Sequence, residues 1–107
     1  MSRFSDVVER LALVIEGRRG ANPKTSWSAR LIADRTLAAK KLAEESLEAA
    51  LAAVQQDKGA LARESADLIY HWLAVLAGAG VSLDDVAAAL EAREGRSGIE
   101  EKASREP

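Results

Sequence analysis

The chain is 107 residues long, 11.4 kDa in mass, and carries 15 Lys+Arg against 17 Asp+Glu for a formal net charge of −2. That balance argues against a general nucleic-acid binder, which is normally distinctly basic. The absence of Cys excludes disulfides, thiolate catalysis and Cys-ligated zinc, and the one His excludes a multi-His metal centre within a single chain. No secretory leader and no apolar span of about 18 residues is legible, so a cytoplasmic protein without membrane attachment is expected. Hydrophobic residues make up 48% of the chain but aromatics only 4%, and Ala is the commonest apolar residue. A single domain over residues 1–107 with a thin core is therefore expected, and a second copy of the chain to complete the interior.

The pattern is helical throughout, because β-branched and aromatic residues are sparse and only Pro23 and Pro107 occur. Phe4, Val7, Val8, Leu11, Val14 and Ile15 recur at helical spacing and predict a first helix from Ser5, its N-cap, to about Arg18. Gly17, Gly20 and Pro23 end it. Thr25 or Ser26 caps a short helix through Trp27, Leu31 and Ile32. Asp34 or Thr36 opens a long one reaching Gln56, with an inward stripe Lys40, Glu44, Leu47, Leu51 and Val54. A break at Asp57-Lys58-Gly59 leads into a helix from about Ala60 to Ala77, with stripe Leu61, Ser65, Leu68, Trp72 and Val75, stopped by Gly78 and Gly80. Ser82-Leu83-Asp84-Asp85 reads as a capping box opening a helix with Leu83, Val86, Ala87 and Leu90. Ser97-Gly98-Ile99-Glu100 caps a last short turn, and the tail from about residue 101 is polar.

The acids are patterned. Glu44, Glu45 and Glu48 form one run and Glu64 and Asp67 another, each at the three- or four-residue spacing that shares a helix face. With a hairpin turn near Lys58, Glu48 comes level with Asp67, Glu64 falls near Ala52, and His71 near Glu44 or Glu45. Such runs alone are common on solvated helix faces. Two matched runs, with Glu44 on the inward stripe, point instead to a site for a hard divalent cation with oxygen ligands, Mg²⁺ above all, which also contacts substrate phosphates. Lys40 and Lys41, one turn before Glu44 and Glu45, are either phosphate ligands or surface ion pairs. Arg93, Arg96, Lys102 and Arg105 gather near the C-terminus beside Ser97-Gly98, either a solvated tail, the commoner case for such a composition, or an anion site using the backbone N–H groups. His71, between Tyr70 and Trp72, reads more simply as a core residue than as a ligand.

These residues resemble the phosphoribosyl-ATP pyrophosphatase family of the all-α MazG-like NTP pyrophosphatase superfamily. The matching pieces are Thr25-Ser26-Trp27-Ser28-Ala29-Arg30-Leu31, the stretch Lys40 to Glu48, Glu64-Ser65-Ala66-Asp67-Leu68-Ile69-Tyr70-His71, and Ser97 to Arg105. The resemblance spans about Phe4 to Arg105. It implies Mg²⁺-dependent hydrolysis of phosphoribosyl-ATP to phosphoribosyl-AMP and pyrophosphate, in histidine biosynthesis. It also implies a homodimer resembling a four-helix bundle built on helical hairpins. By the same resemblance Glu44, Glu45, Glu48, Glu64 and Asp67 bind metal, a carboxylate such as Glu45 or Glu48 is the catalytic base, and Lys41, Ser97, Lys102 and Arg105 meet the nucleotide substrate, with Arg93 beside them. The family usually carries a Lys where Leu37 stands here, with Arg35 nearby, and a Gly where Ala43 stands. Those departures motivate a second reading, a house-cleaning hydrolase of nucleoside triphosphates. A third is a non-enzymatic helical dimerisation module whose acids only solubilise it.

Overall fold

The computed structural model describes residues 2–95 and 97–105, with the backbone alone at residues 100, 101 and 104. Arg96, grouped above with the basic residues, lies outside the described residues, as do the side chains of Glu100, Glu101 and Ser104. Six α-helices and no strand occur among the described residues.

Capping sets most of the helix starts. α1 (Arg3–Glu16) begins earlier than the sequence predicts because Ser2, not Ser5, caps it. Ser2 Oγ accepts the Ser5 N–H at 3.1 Å, and Ser5 Oγ donates back to the Ser2 carbonyl at 3.1 Å. Ser26 Oγ accepts the Ala29 N–H and opens α2 (Trp27–Ala33). Asp34 closes α2 and caps α3 (Arg35–Val54) by accepting the Leu37 N–H at 3.0 Å, so the two helices meet at one residue. Asp57 caps α4 (Lys58–Ala79) in the same way through Ala60. Ser82 and Asp85 form the reciprocal capping box of α5 (Leu83–Glu91). The tail, expected to follow a short turn, is instead a helix, α6 (Gly98–Arg105), with Lys102 and Arg105 in the last turn, where cations complement the helix dipole.

α4 runs past Gly78, which does not stop it. A Cβ at Gly78 would lie 3.2 Å from the Ile32 carbonyl oxygen, so its role is to let the α2 backbone approach α4. The stop is Gly80, at φ 71°, with the Val81 N–H returning to the Leu76 carbonyl at 3.0 Å.

α3 and α4 form an antiparallel hairpin with the most extensive contact in the molecule, and α2 and α1 lie against α4. α5 and α6 pack more sparsely. The core joins Ile15, Leu31, Ala38, Leu73 and Ala74, and Ile15 and Leu31 are the largest fully buried side chains among the described residues. The inward line of α3 differs from the predicted stripe. Ala38, Glu45, Ala49 and Ala52 are buried, while Leu47, Leu51 and Val54 are 60%, 49% and 79% exposed. Small side chains on the contact face let the hairpin arms close tightly, and the leucines fall on the opposite face. α4 likewise buries His71, Leu73 and Ala74 most deeply, with the predicted stripe residues only half-buried. No single described helix is long and apolar enough to cross a membrane.

Candidate active site

The hairpin turn decides which acids meet. It is centred on Gln56, a non-glycine residue at φ 58°, rather than on Lys58. Glu48 and Glu64 lie eight residues to either side of Gln56, and Glu45 and Asp67 eleven, so these are the facing rungs. The predicted pairing of Glu48 with Asp67 is thus displaced by one helical turn. Glu45, Glu48 and Glu64 can each present one carboxylate oxygen such that all three lie within 4.8 Å of one another. Asp67 is exposed at the edge of this group, close enough to raise the Glu45 and Glu64 ionisations by its charge.

The inward acid is Glu45, not Glu44. Glu45 is 8% exposed, and its Oε2 is buried without a hydrogen-bond partner, as is Glu64 Oε2. Orphaned buried carboxylate oxygens are costly unless a cation or proton meets them. The protons are held accordingly. Burial, followed by the charge of Glu48, pushes the Glu45 carboxyl above its usual value. Glu64 is also raised, first by a hydrogen bond shared with Glu48, then by burial and by the Glu48 charge. Two unpartnered buried oxygens within a group of hard oxygen donors fit a divalent ion such as Mg²⁺ or Mn²⁺.

Glu44 turns aside. Its side chain is 43% exposed and accepts a hydrogen bond from Lys41 Nζ at 2.9 Å, which holds its carboxyl below the usual value. Lys41 Nζ also lies 4.0 Å from Glu45 Oε1. Lys40 is exposed.

One feature of the site has no local sequence signal, the clamp between α2 and α4. Trp27 Nε1–H donates to His71 Nε2 at 3.2 Å, and His71 Nδ1 lies 2.8 Å from the Asp67 carbonyl. A carbonyl only accepts and an indole N–H only donates, so His71 is the neutral Nδ1–H tautomer. Ser28 and Tyr70 share a 2.6 Å hydrogen bond one step along, and the Arg30 guanidinium lies 5.7 Å from the Trp27 ring centroid. His71 is 8% exposed and serves as a pin, in keeping with the simpler sequence reading.

The tail candidates are placed differently. Arg93 follows α5, Ser97 precedes α6, and Lys102 and Arg105 lie on it. Leu37, at the position of the expected Lys, packs half-buried against the core, while Arg35 is exposed. A cavity of about 320 Å³ between α1, the end of α4 and the start of α5 is lined by Glu16, Arg19 and Leu83, toward the end of α4 away from Glu64 and Asp67.

The all-α hairpin brings carboxylates from its two arms to one point, an arrangement that suits metal-assisted hydrolysis of a phosphoanhydride. A family model described as phosphoribosyl-ATP pyrophosphohydrolase matches residues 8–94, which include every acid of the cluster and Lys41. A phosphoribosyl-ATP pyrophosphatase of Caulobacter vibrioides is 61% identical over 103 residues, 96% of each chain. One of Cereibacter sphaeroides is 51% identical over 100 residues, 92% of this chain and 97% of the relative. One of Paracoccus denitrificans is 50% identical over 99 residues, 92% of each. The chain belongs to the phosphoribosyl-ATP pyrophosphohydrolase family, and the reading as a non-enzymatic module is set aside.

Proposed function

We propose that the chain hydrolyses phosphoribosyl-ATP to phosphoribosyl-AMP and pyrophosphate in histidine biosynthesis, with Mg²⁺ as the resident cofactor and the cytoplasm as its compartment. The observation that carries the metal site is the pair of orphaned buried oxygens on Glu45 and Glu64, contributed by opposite arms of the hairpin. Glu45, Glu48 and Glu64 would hold the ion, with Asp67 completing the set and Glu44 at its margin. Bound there, the ion would supply charge neutralisation for the departing pyrophosphate. One carboxylate, Glu45 or Glu48, takes the proton from the attacking water. Lys41 faces the phosphates, where its ammonium stabilises charge that spreads as the anhydride bond breaks. Ser97, Lys102 and Arg105, with Arg93, are the candidates for the rest of the nucleotide.

The direct test is pyrophosphate release from phosphoribosyl-ATP and from a panel of nucleoside triphosphates, with and without Mg²⁺. Preference for phosphoribosyl-ATP, and turnover only with a divalent ion, is the expected result. Preference for a free triphosphate would move the chain to the house-cleaning reading, and no turnover on any of them would end both.

Metal binding should also follow pH with a defined sign. Ligand carboxylates must be unprotonated, and Glu45 and Glu64 both hold their protons above the ordinary 4.5. In the metal-free fold each contributes stability that is fully present below its unfolded value and lost as pH rises through its raised value. Metal binding draws on the unprotonated form, so the rise in Tm produced by Mg²⁺ or Mn²⁺ is expected to grow as pH increases from the 4.5 region. A rise in Tm that grows as pH falls would contradict these ligands.

We infer as well that the working unit is a homodimer. Leu47, Leu51 and Val54 form an uncovered apolar face on α3, and the largest fully buried side chains among the described residues are Ile15 and Leu31 alone. Light scattering at micromolar concentration should give the mass of two 11.4-kDa chains. Leu51→Glu should shift it to one and lower Tm. An unchanged mass in Leu51→Glu would remove this face from the interface.

A further inference from the structure

Lys41 is the one cation in ion-pair contact with the acid cluster among the described residues. It sits between two members, hydrogen-bonded to Glu44 at 2.9 Å and 4.0 Å from Glu45 Oε1, the oxygen beside the orphaned Oε2. Its side chain is 29% exposed, so it is held against the helix rather than trailing in water. A divalent ion held on Glu45 would lie within a few ångströms of this ammonium and repel it. The four-carbon stem gives the Lys room to leave, and a phosphate chain docking on the ion is the nearest new source of negative charge.

We propose that Lys41 is an internal counter-ion that competes with the divalent cation for Glu45, and that the cation's arrival turns it from the acid cluster to the pyrophosphate moiety of the substrate, with Glu44 as its resting anchor. This rests on the metal site proposed above. Metal and pyrophosphate then bind with positive coupling, because the ion releases the group that the second ligand uses, and the coupling is reciprocal. An ordinary surface pair at this spacing would do none of this, since such pairs are weak and indifferent to a neighbouring ligand.

The test is calorimetry on the full chain with Mg²⁺ alone, and then with inorganic pyrophosphate in the absence and presence of saturating Mg²⁺, comparing wild type with Lys41→Met and Lys41→Arg. Lys41→Met should bind Mg²⁺ several-fold more tightly than wild type. It should also lose most of the Mg²⁺-dependent gain in pyrophosphate affinity, and Lys41→Arg should keep much of it. The metal-free Tm of Lys41→Met should fall and be restored by Mg²⁺. Mg²⁺ affinity that is unchanged or weaker in Lys41→Met, with wild type binding normally, overturns the counter-ion role and leaves the metal site standing. Absence of Mg²⁺ binding in wild type overturns both.

Discussion

Glu45→Gln is expected to lower turnover by about 10²–10³-fold, the scale set by removing a preorganised charge-stabilising group, while the metal-free protein unfolds at the same temperature or higher. The two effects have opposite signs for one reason. Glu45 is nearly buried, has an oxygen without a partner, and is surrounded by Glu48 and Asp67, so its carboxylate is a burden on the empty fold. The amide keeps the shape and removes the charge. It also removes a hard ligand, so the Tm rise produced by Mg²⁺ should shrink or vanish in the variant. Steady-state pyrophosphate release and melting curves with and without Mg²⁺ measure all three. Full activity in Glu45→Gln would show that the inward acid has no part in the chemistry.

The second large effect concerns the support beneath the site. Leu31 is 0% exposed and is among the largest fully buried side chains of the described residues. Leu31→Ala is expected to cost about 3 kcal/mol, the transfer of the lost methylenes plus an unfilled cavity. In a chain of this length that is a fall in Tm of about 12 °C or more. Leu31 lies on α2, whose Trp27 is hydrogen-bonded to His71 on α4, one turn from Asp67. Loosening α2 therefore loosens the α4 arm of the carboxylate cluster, and activity should fall at temperatures well below the melting transition. Thermal unfolding at fixed protein concentration checks the stability loss. A shift of only one or two degrees would mean that the core collapses around the missing side chain.

Much of this was legible in the residues, where the signal is local. Ser26, Asp34 and Ser82 are short polar side chains immediately before apolar helical spacing, whereas Asp57, read as part of a break, is the cap of α4. Each accepts the N–H that such a cap should accept. The acids were legible for the same reason, since three- and four-residue spacing survives in any helix. What failed depends on how helices meet. The leucines predict the α3 stripe, yet the buried residues of α3 are Ala38, Glu45, Ala49 and Ala52, small side chains at three of four positions letting α3 and α4 approach. That choice turned Glu45 inward instead of Glu44. The break at Asp57-Lys58-Gly59 predicts a hairpin centre near Lys58, but Gln56 adopts the left-handed conformation itself. Two residues of shift along the turn moved the facing partner of Glu48 from Asp67 to Glu64. The Trp27–His71 bond joins positions 44 apart and leaves no mark in the local pattern.

The most direct measurement is a titration of the full chain with Mn²⁺, followed by paramagnetic broadening of its backbone amide resonances. The expected result is early and selective loss of signal around residues 45–48 and 64–67 together, from both arms of the hairpin at the same substoichiometric metal. Broadening confined to one arm, or spread over the exposed acids at Glu9, Glu91 and Glu94, would contradict a cation site made by Glu45, Glu48 and Glu64.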